Sequence, residues 1–174
     1  MRKTSAQDIT DFFYQYDEHI THIAVAHTTV RAYNMDARQM ERTLEQLQQA
    51  CHLFRRRFSQ RLYGMKALRK PDQYGPLMLT TIEGGCGQDP RMTIHYNFAL
   101  GNIPSQLTTD KLRQVFAECW SKQEMLTTDR LFLVERNQAE TGWLRYITKE
   151  AHSGNLGTWD VRNTQIPHSA LEAD

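Results

Sequence analysis

A chain of 174 residues, 40% hydrophobic and 24% charged, has the composition of a folded globular domain and is long enough to bury a core without disulfides. A net charge of +1 gives the whole molecule no polyanion-binding character, and Cys51, Cys86 and Cys119 lack the paired spacing of a zinc ribbon or disulfide framework. No apolar run approaches the roughly 18 residues of a membrane span and MRKTSAQDITDF lacks a signal peptide's apolar segment, so a cytoplasmic protein with no membrane partner is expected.

Residues 5–16 have helical periodicity, with Ser5 as N-cap and Ile9, Phe12, Phe13 and Tyr16 as the apolar stripe. HIAVAHTTV, residues 22–30, is small and β-branched and predicts the first strand. His19 and His22 have a ligand-like spacing, but no second Cys or His pair follows at zinc-site distance, so surface histidines are expected. Asp36 caps a predicted helix running to about residue 62, on which Met40, Leu44, Leu47, Cys51, Phe54 and Phe58 recur at steps of three and four. Its end carries Arg55, Arg56, Arg57, Arg61, Lys66, Arg69 and Lys70, seven cations in 16 residues with no acid among them. The helix dipole favours some cations there. Seven exceed that need and predict a phosphate-neutralising patch, a solvated helix face being the alternative.

Two β-type runs, residues 77–83 and 91–100, flank a Gly/Asp/Pro-rich connection and predict a long-looped hairpin. A helix over 108–122, a strand over 130–135 and a helix over 139–151 follow; residues 152–174, rich in Gly, Asn, Thr and Pro, predict an irregular stretch with a mobile acidic end. The order implies an α+β fold, a mainly antiparallel sheet with helices packed on it. One domain over residues 1–160 and an irregular tail over 161–174 are expected.

Along the second hairpin strand, Met92, Ile94, Tyr96, Phe98 and Leu100 alternate with Thr93, His95, Asn97 and Ala99, so His95 and Asn97 share a face. If Glu83 pairs opposite His95, its carboxylate joins them. A carboxylate, an imidazole and an amide oxygen suit a hard divalent cation; taken alone, such residues on a strand more often form an ordinary solvated face. On the last predicted helix Tyr146 and Lys149 stand at i and i+3, on one face.

In this order the pieces resemble the HUH endonuclease superfamily, specifically its single-tyrosine rolling-circle replication initiators. The apolar strand ending in threonines is IAVAHTTV, the His-hydrophobic-His/Gln motif is matched by His95-Tyr96-Asn97, and the Tyr-x-x-Lys motif by Tyr146-Ile147-Thr148-Lys149. Glu83, in TTIEGG, falls where many members place an acidic ligand. From Phe54 to Asp160 the segments LYGMKALRK, IEGG, HYNFAL, FAECW, GWLRYITKE and a WD pair are similar to uncharacterised replication-type proteins of bacterial plasmids and phages.

The resemblance implies an RRM-like sheet and a Mg²⁺ or Mn²⁺ ion held by Glu83, His95 and Asn97. Asn97 departs from the family pattern, although its amide oxygen suits either ion. Tyr146 would attack a scissile phosphate of single-stranded DNA at a replication origin, forming a 5′-phosphotyrosine and a free 3′-hydroxyl. Lys149 would lower the phenol's pKa or steady the phosphate, Trp143 would stack on a base unless buried, and the Arg55–Lys70 cluster would hold flanking phosphates. No GxxxxGK[ST] stretch is present, so a separate host helicase is expected. Mobilisation relaxases and single-strand transposases share this chemistry, but a tyrosine following the histidine motif favours initiation. The alternative of another class is a non-catalytic DNA-binding regulator on a decayed HUH fold.

Overall fold

The computed structural model describes residues 5–85, 89–137, 142–153 and 155–171. Helix starts follow local capping chemistry. Ser5 and Asp8 exchange side-chain and backbone hydrogen bonds at the head of α1 (Ala6–Tyr14), and Asp36 and Gln39 do the same at α2 (Ala37–Tyr63). Gly64, at φ 68°, ends α2 and turns the chain into the short α3 (Met65–Arg69). Thr108 accepts from the Lys111 N–H at the start of α4 (Thr109–Trp120).

Four strands, β1 (Ile20–Arg31), β2 (Leu77–Glu83), β3 (Thr93–Gly101) and β4 (Phe132–Glu135), form one sheet in the order β2-β3-β1-β4. Every adjacent pair is antiparallel. The helical crossovers β1-α2-β2 and β3-α4-β4 each leave room for another strand between their ends, the split β-α-β arrangement of an α+β fold.

The sheet's first face buries Ala24, Ala26, Met78, Ile94, Tyr96 and Phe98 against Leu47, Phe54 and Phe58 of α2 and Leu112, Phe116 and Trp120 of α4. The Phe54 ring sits 4.6 Å from that of Phe116 and 4.9 Å from that of Trp120, with none of its surface exposed. Phe54→Ala is expected to lower stability by about 3–5 kcal/mol, read as a fall in the urea midpoint at constant slope. An unchanged midpoint would contradict this core.

The opposite face carries Leu77, Leu79 and Ala99, covered by Ile9 and Phe13 of α1 and by Leu144, Ile147 and Ala151. The helix predicted over 139–151 is divided here into α5 (Trp143–Ile147) and α6 (Lys149–His152), while residues 139–141 lie outside the described ones. The break falls at the fully buried Thr148, whose Oγ1 donates to the Leu144 carbonyl at 2.9 Å. A threonine hydroxyl bonded to the i−4 carbonyl bends a helix.

His22, expected at the surface, is buried with 8% exposure, its Nδ1 2.9 Å from Thr21 Oγ1. Burial pushes its pKa below the ordinary imidazole value. The C-terminal stretch has little regular structure, yet it packs along the outer edge of β2. Met78 and Gln165 exchange backbone hydrogen bonds of 2.8 Å in both directions. Asn163 donates to the Asp160 carboxylate at 2.6 Å and to the Gln48 carbonyl of α2 at 3.0 Å. The segment pairs an otherwise open strand edge, and the packed chain continues past residue 160 to the buried Ala170. The acidic end, residues 172–174, lies outside the described residues. Among the described residues no helix is long and apolar enough to cross a membrane.

Candidate active site

The β2–β3 register sets Glu83 opposite His95 and Thr81 opposite Asn97, as the hairpin reading requires. The Glu83 side chain is 1% exposed, with Oε2 3.4 Å from His95 Nε2 and 2.8 Å from Lys149 Nζ. The same ammonium lies 3.6 Å from the centroid of the Tyr146 ring, so one cation joins the carboxylate on the sheet to the phenol on α5. Tyr146 is 47% exposed, and Trp143, part-buried against the second core, stacks on it at 5.2 Å.

Local geometry explains how Lys149 reaches Glu83. Gly84 ends β2 at φ 86°, where a Cβ would sit 2.9 Å from the Thr93 carbonyl oxygen. Its N–H donates to Glu150 Oε1 at 3.0 Å, and Asn155 Nδ2 holds Glu150 Oε2 at 3.0 Å. Glu150 thereby fastens α6 to the end of β2 and delivers its neighbour Lys149 to the carboxylate. Nothing in the spacing of Glu150 marks it for this role; only the approach of α6 to the hairpin reveals it.

Burial alone would push Glu83 up, but contacts with His95 and Lys149 outweigh it and hold the carboxyl below its ordinary value. Burial likewise opposes the charged form of Lys149, and contacts with Glu83 and Tyr146 overcome it, raising the amine's pKa. A depressed carboxylate stabilises the fold above its unfolded pKa and loses that contribution as pH falls through the folded one. A raised amine stabilises below its unfolded pKa and loses that contribution as pH rises through the folded one. The pair therefore stabilises between about pH 4.3 and pH 10.4, the ordinary Glu and Lys values. The melting-temperature advantage of the wild type over Lys149→Met is expected to persist across this window and to shrink on acidification below it. Melting curves recorded against pH check this, a constant difference at every pH being the contrary result.

Whether these residues suit a divalent cation is decided by their donors. Glu83 Oε1 and Asn97 Oδ1 are buried and have no hydrogen-bond partner among the described residues, whereas Glu83 Oε2 is held by the Lys149 ammonium at 2.8 Å. Asn97 Nδ2 donates to Thr81 Oγ1 at 3.3 Å, which leaves Oδ1 as the end available for coordination. Buried oxygens beside an imidazole are donors that Mg²⁺ or Mn²⁺ accepts. Among the described residues no three His, Cys, Asp or Glu side chains group as a metal site, so Asn97 is required as the third donor.

A second imidazole, passed over in the sequence, joins this face. β1 pairs His27 opposite His95, and the two rings stack at 5.2 Å. Burial, with His95 and Arg130 acting in the same direction, pushes the His27 pKa down. Strand alternation places His27 with Ile23 and Val25, but its pairing with β3 crosses a 27-residue helix and leaves no local signal.

The Arg55–Lys70 cluster is not brought to this site. α2 packs on the other face of the sheet, and its C-terminal end meets the start of β2, where the Tyr63 hydroxyl donates to the Asn102 carbonyl. Glu83 closes the far end of β2, six steps or about 20 Å along the strand. Arg55 turns inward to Gln165 Oε1 at 3.0 Å, Arg61 pairs with Glu118 at 3.1 Å, and Lys66 lies over the Tyr74 ring at 4.8 Å. Arg56, Arg57, Arg69 and Lys70 are exposed. Compared with protein-family models, with curated proteins and with solved structures, the chain matches none of them.

Proposed function

We propose that this chain nicks and rejoins single-stranded DNA through Tyr146 and so initiates rolling-circle replication of a plasmid or phage. The observation that carries the reading is the Lys149 ammonium, 2.8 Å from the Glu83 carboxylate and 3.6 Å from the Tyr146 ring centroid. The motif that suggested a nucleophile and the motif that suggested a metal site thus share one cation, although 63 positions separate Glu83 from Tyr146.

In this mechanism the Tyr146 oxygen attacks phosphorus, the P–O3′ bond breaks, and the phenolic proton passes to solvent. The departing 3′ oxygen takes a proton from water. Reversal rejoins the strand without ATP, since the phosphotyrosine conserves the bond. Lys149 stabilises negative charge developing on the phenol oxygen, and the half-exposed Tyr146 ring is open to a strand. Glu83, His95 and Asn97 would hold Mg²⁺ or Mn²⁺, which when bound neutralises charge on the scissile phosphate. A separate host helicase would open the duplex.

The test is incubation with a random-sequence single-stranded DNA pool and Mn²⁺, followed by denaturing electrophoresis. A covalent protein–DNA band with a recurrent trapped 5′ end is expected. Binding without such a band would favour the second reading, a non-catalytic DNA-binding module. The Asn97–Thr81 bond and the Glu83–Lys149 pair give that reading its basis, since both engage the site's polar groups within the protein.

A further inference from the structure

Beside the stacked His27 and His95 rings lies an open pocket of about 230 Å³ that neither the metal set nor Tyr146 uses. Arg31, Arg91 and Arg130 contribute to its wall with His27 and Thr93, and Asp129 is its one carboxylate. All three arginines are exposed, and among the described residues none has a carboxylate within ion-pair distance. Three guanidiniums against one carboxylate leave a net positive wall.

The backbone explains why they converge. Between His27 and Arg31 the β1–β3 register slips: His27 faces His95 and Arg31 faces Thr93, so four steps on β1 match two on β3. Both counts are even, so Arg31 keeps the face that carries His27 and His95, and the bulge draws it level with Thr93. Arg130 adopts φ 62°, a left-handed conformation that β-carbon sterics disfavour for arginine, just before β4. Thr93 Oγ1 lies 2.9 Å from His27 Nδ1, which ties the pocket floor to the imidazole stacked on His95.

We propose that this pocket is a phosphate subsite for a single-stranded nucleic acid, seating a backbone phosphate next to the one that meets Glu83, His95 and Tyr146. Guanidinium forks match phosphate oxygens bidentately, and the threonine hydroxyl adds a neutral donor. The inference rests on the DNA reading above. It shifts the strand's principal electrostatic contact from the Arg55–Lys70 cluster to these three arginines, which lie at the site's own end of the sheet.

The test is equilibrium binding of a fluorescent 20-nucleotide single strand in EDTA, with Tyr146→Phe as the background so that no chemistry intervenes. Arg31→Gln/Arg91→Gln/Arg130→Gln is compared with Arg56→Gln/Arg57→Gln/Arg69→Gln/Lys70→Gln. The pocket triple is expected to weaken binding about tenfold or more and to reduce the slope of log K against log salt by about 0.7 for one lost phosphate. The helix quadruple should weaken binding by less. Unaltered circular dichroism, and partial recovery with the Arg→Lys triple, would show that charge and not folding was lost.

Equal binding by the triple and its parent overturns the subsite and leaves the nicking proposal standing. If the parent does not bind DNA at all, the DNA reading fails with it. Inorganic phosphate that raises the melting temperature of the parent and not the triple, without competing with the oligonucleotide, would assign the pocket to a free anion and overturn the strand subsite.

Discussion

Tyr146→Phe is expected to abolish covalent capture of single-stranded DNA, cutting nicking by about 10,000-fold or more, while affinity for the intact strand changes less than about threefold. The substitution removes one oxygen and keeps the ring. Stacking on Trp143 and the cation–π contact with Lys149 both involve the ring and survive. Tyr146 is half exposed, so folding stability should stay within the small range typical of surface changes. Rate and affinity therefore separate cleanly, with gel-resolved nicking for the first and fluorescence anisotropy for the second. A phenylalanine variant that still forms the covalent band would remove Tyr146 from the mechanism.

The second large effect is expected at Glu83. Glu83→Gln keeps the shape of the side chain and deletes the charge that faces Lys149 and His95 and that the proposed cation would use. Nicking is expected to fall about 100- to 1,000-fold, the usual consequence of losing one preorganised electrostatic contact. His95→Ala should act in the same direction. Calorimetric titration with Mn²⁺ separates metal loss from mere disorder in the site, because both variants should bind the ion more weakly than the wild type. If neither changes metal affinity, the set Glu83, His95 and Asn97 is wrong. A Glu83→Gln variant that binds manganese normally yet nicks poorly would place the loss in Lys149, released from its partner.

The two variants probe opposite ends of the same bridge. Tyr146 lies on a helical piece only five residues long, whose position depends on the neighbouring α6 and its Glu150–Gly84 contact. Glu83 lies inside a hydrogen-bonded strand. The phenol is thus held by side-chain anchors and the carboxylate by backbone pairing, so changes at Glu150 should disturb Tyr146 more than Glu83.

Much of this architecture is written locally. Capping at Ser5, Asp36 and Thr108 depends on groups three residues away. The Phe54 and Phe58 stripe and the alternation through Ile94, Tyr96 and Phe98 carry their periods in the chain itself. A hairpin joins neighbours, so Glu83 opposite His95 was also within reach. The break at Thr148 was not, because a threonine bends a helix only where its hydroxyl turns to the backbone, and that follows from its burial.

Most of the elements, the α+β class and the strand face shared by Glu83, His95 and Asn97 were thus set within the chain itself, whereas Tyr146 and Lys149, read on one helix, fall on two. Tertiary structure alone decided which of them meet: that Lys149 closes on Glu83, that His27 enters from β1, and that Arg31, Arg91 and Arg130 gather at this end of the sheet while the Arg55–Lys70 cluster lies on the far face. The physical reason is range. Periods and caps are set by interactions over a few residues, whereas contact between distant side chains depends on strand order and on which helix covers which face.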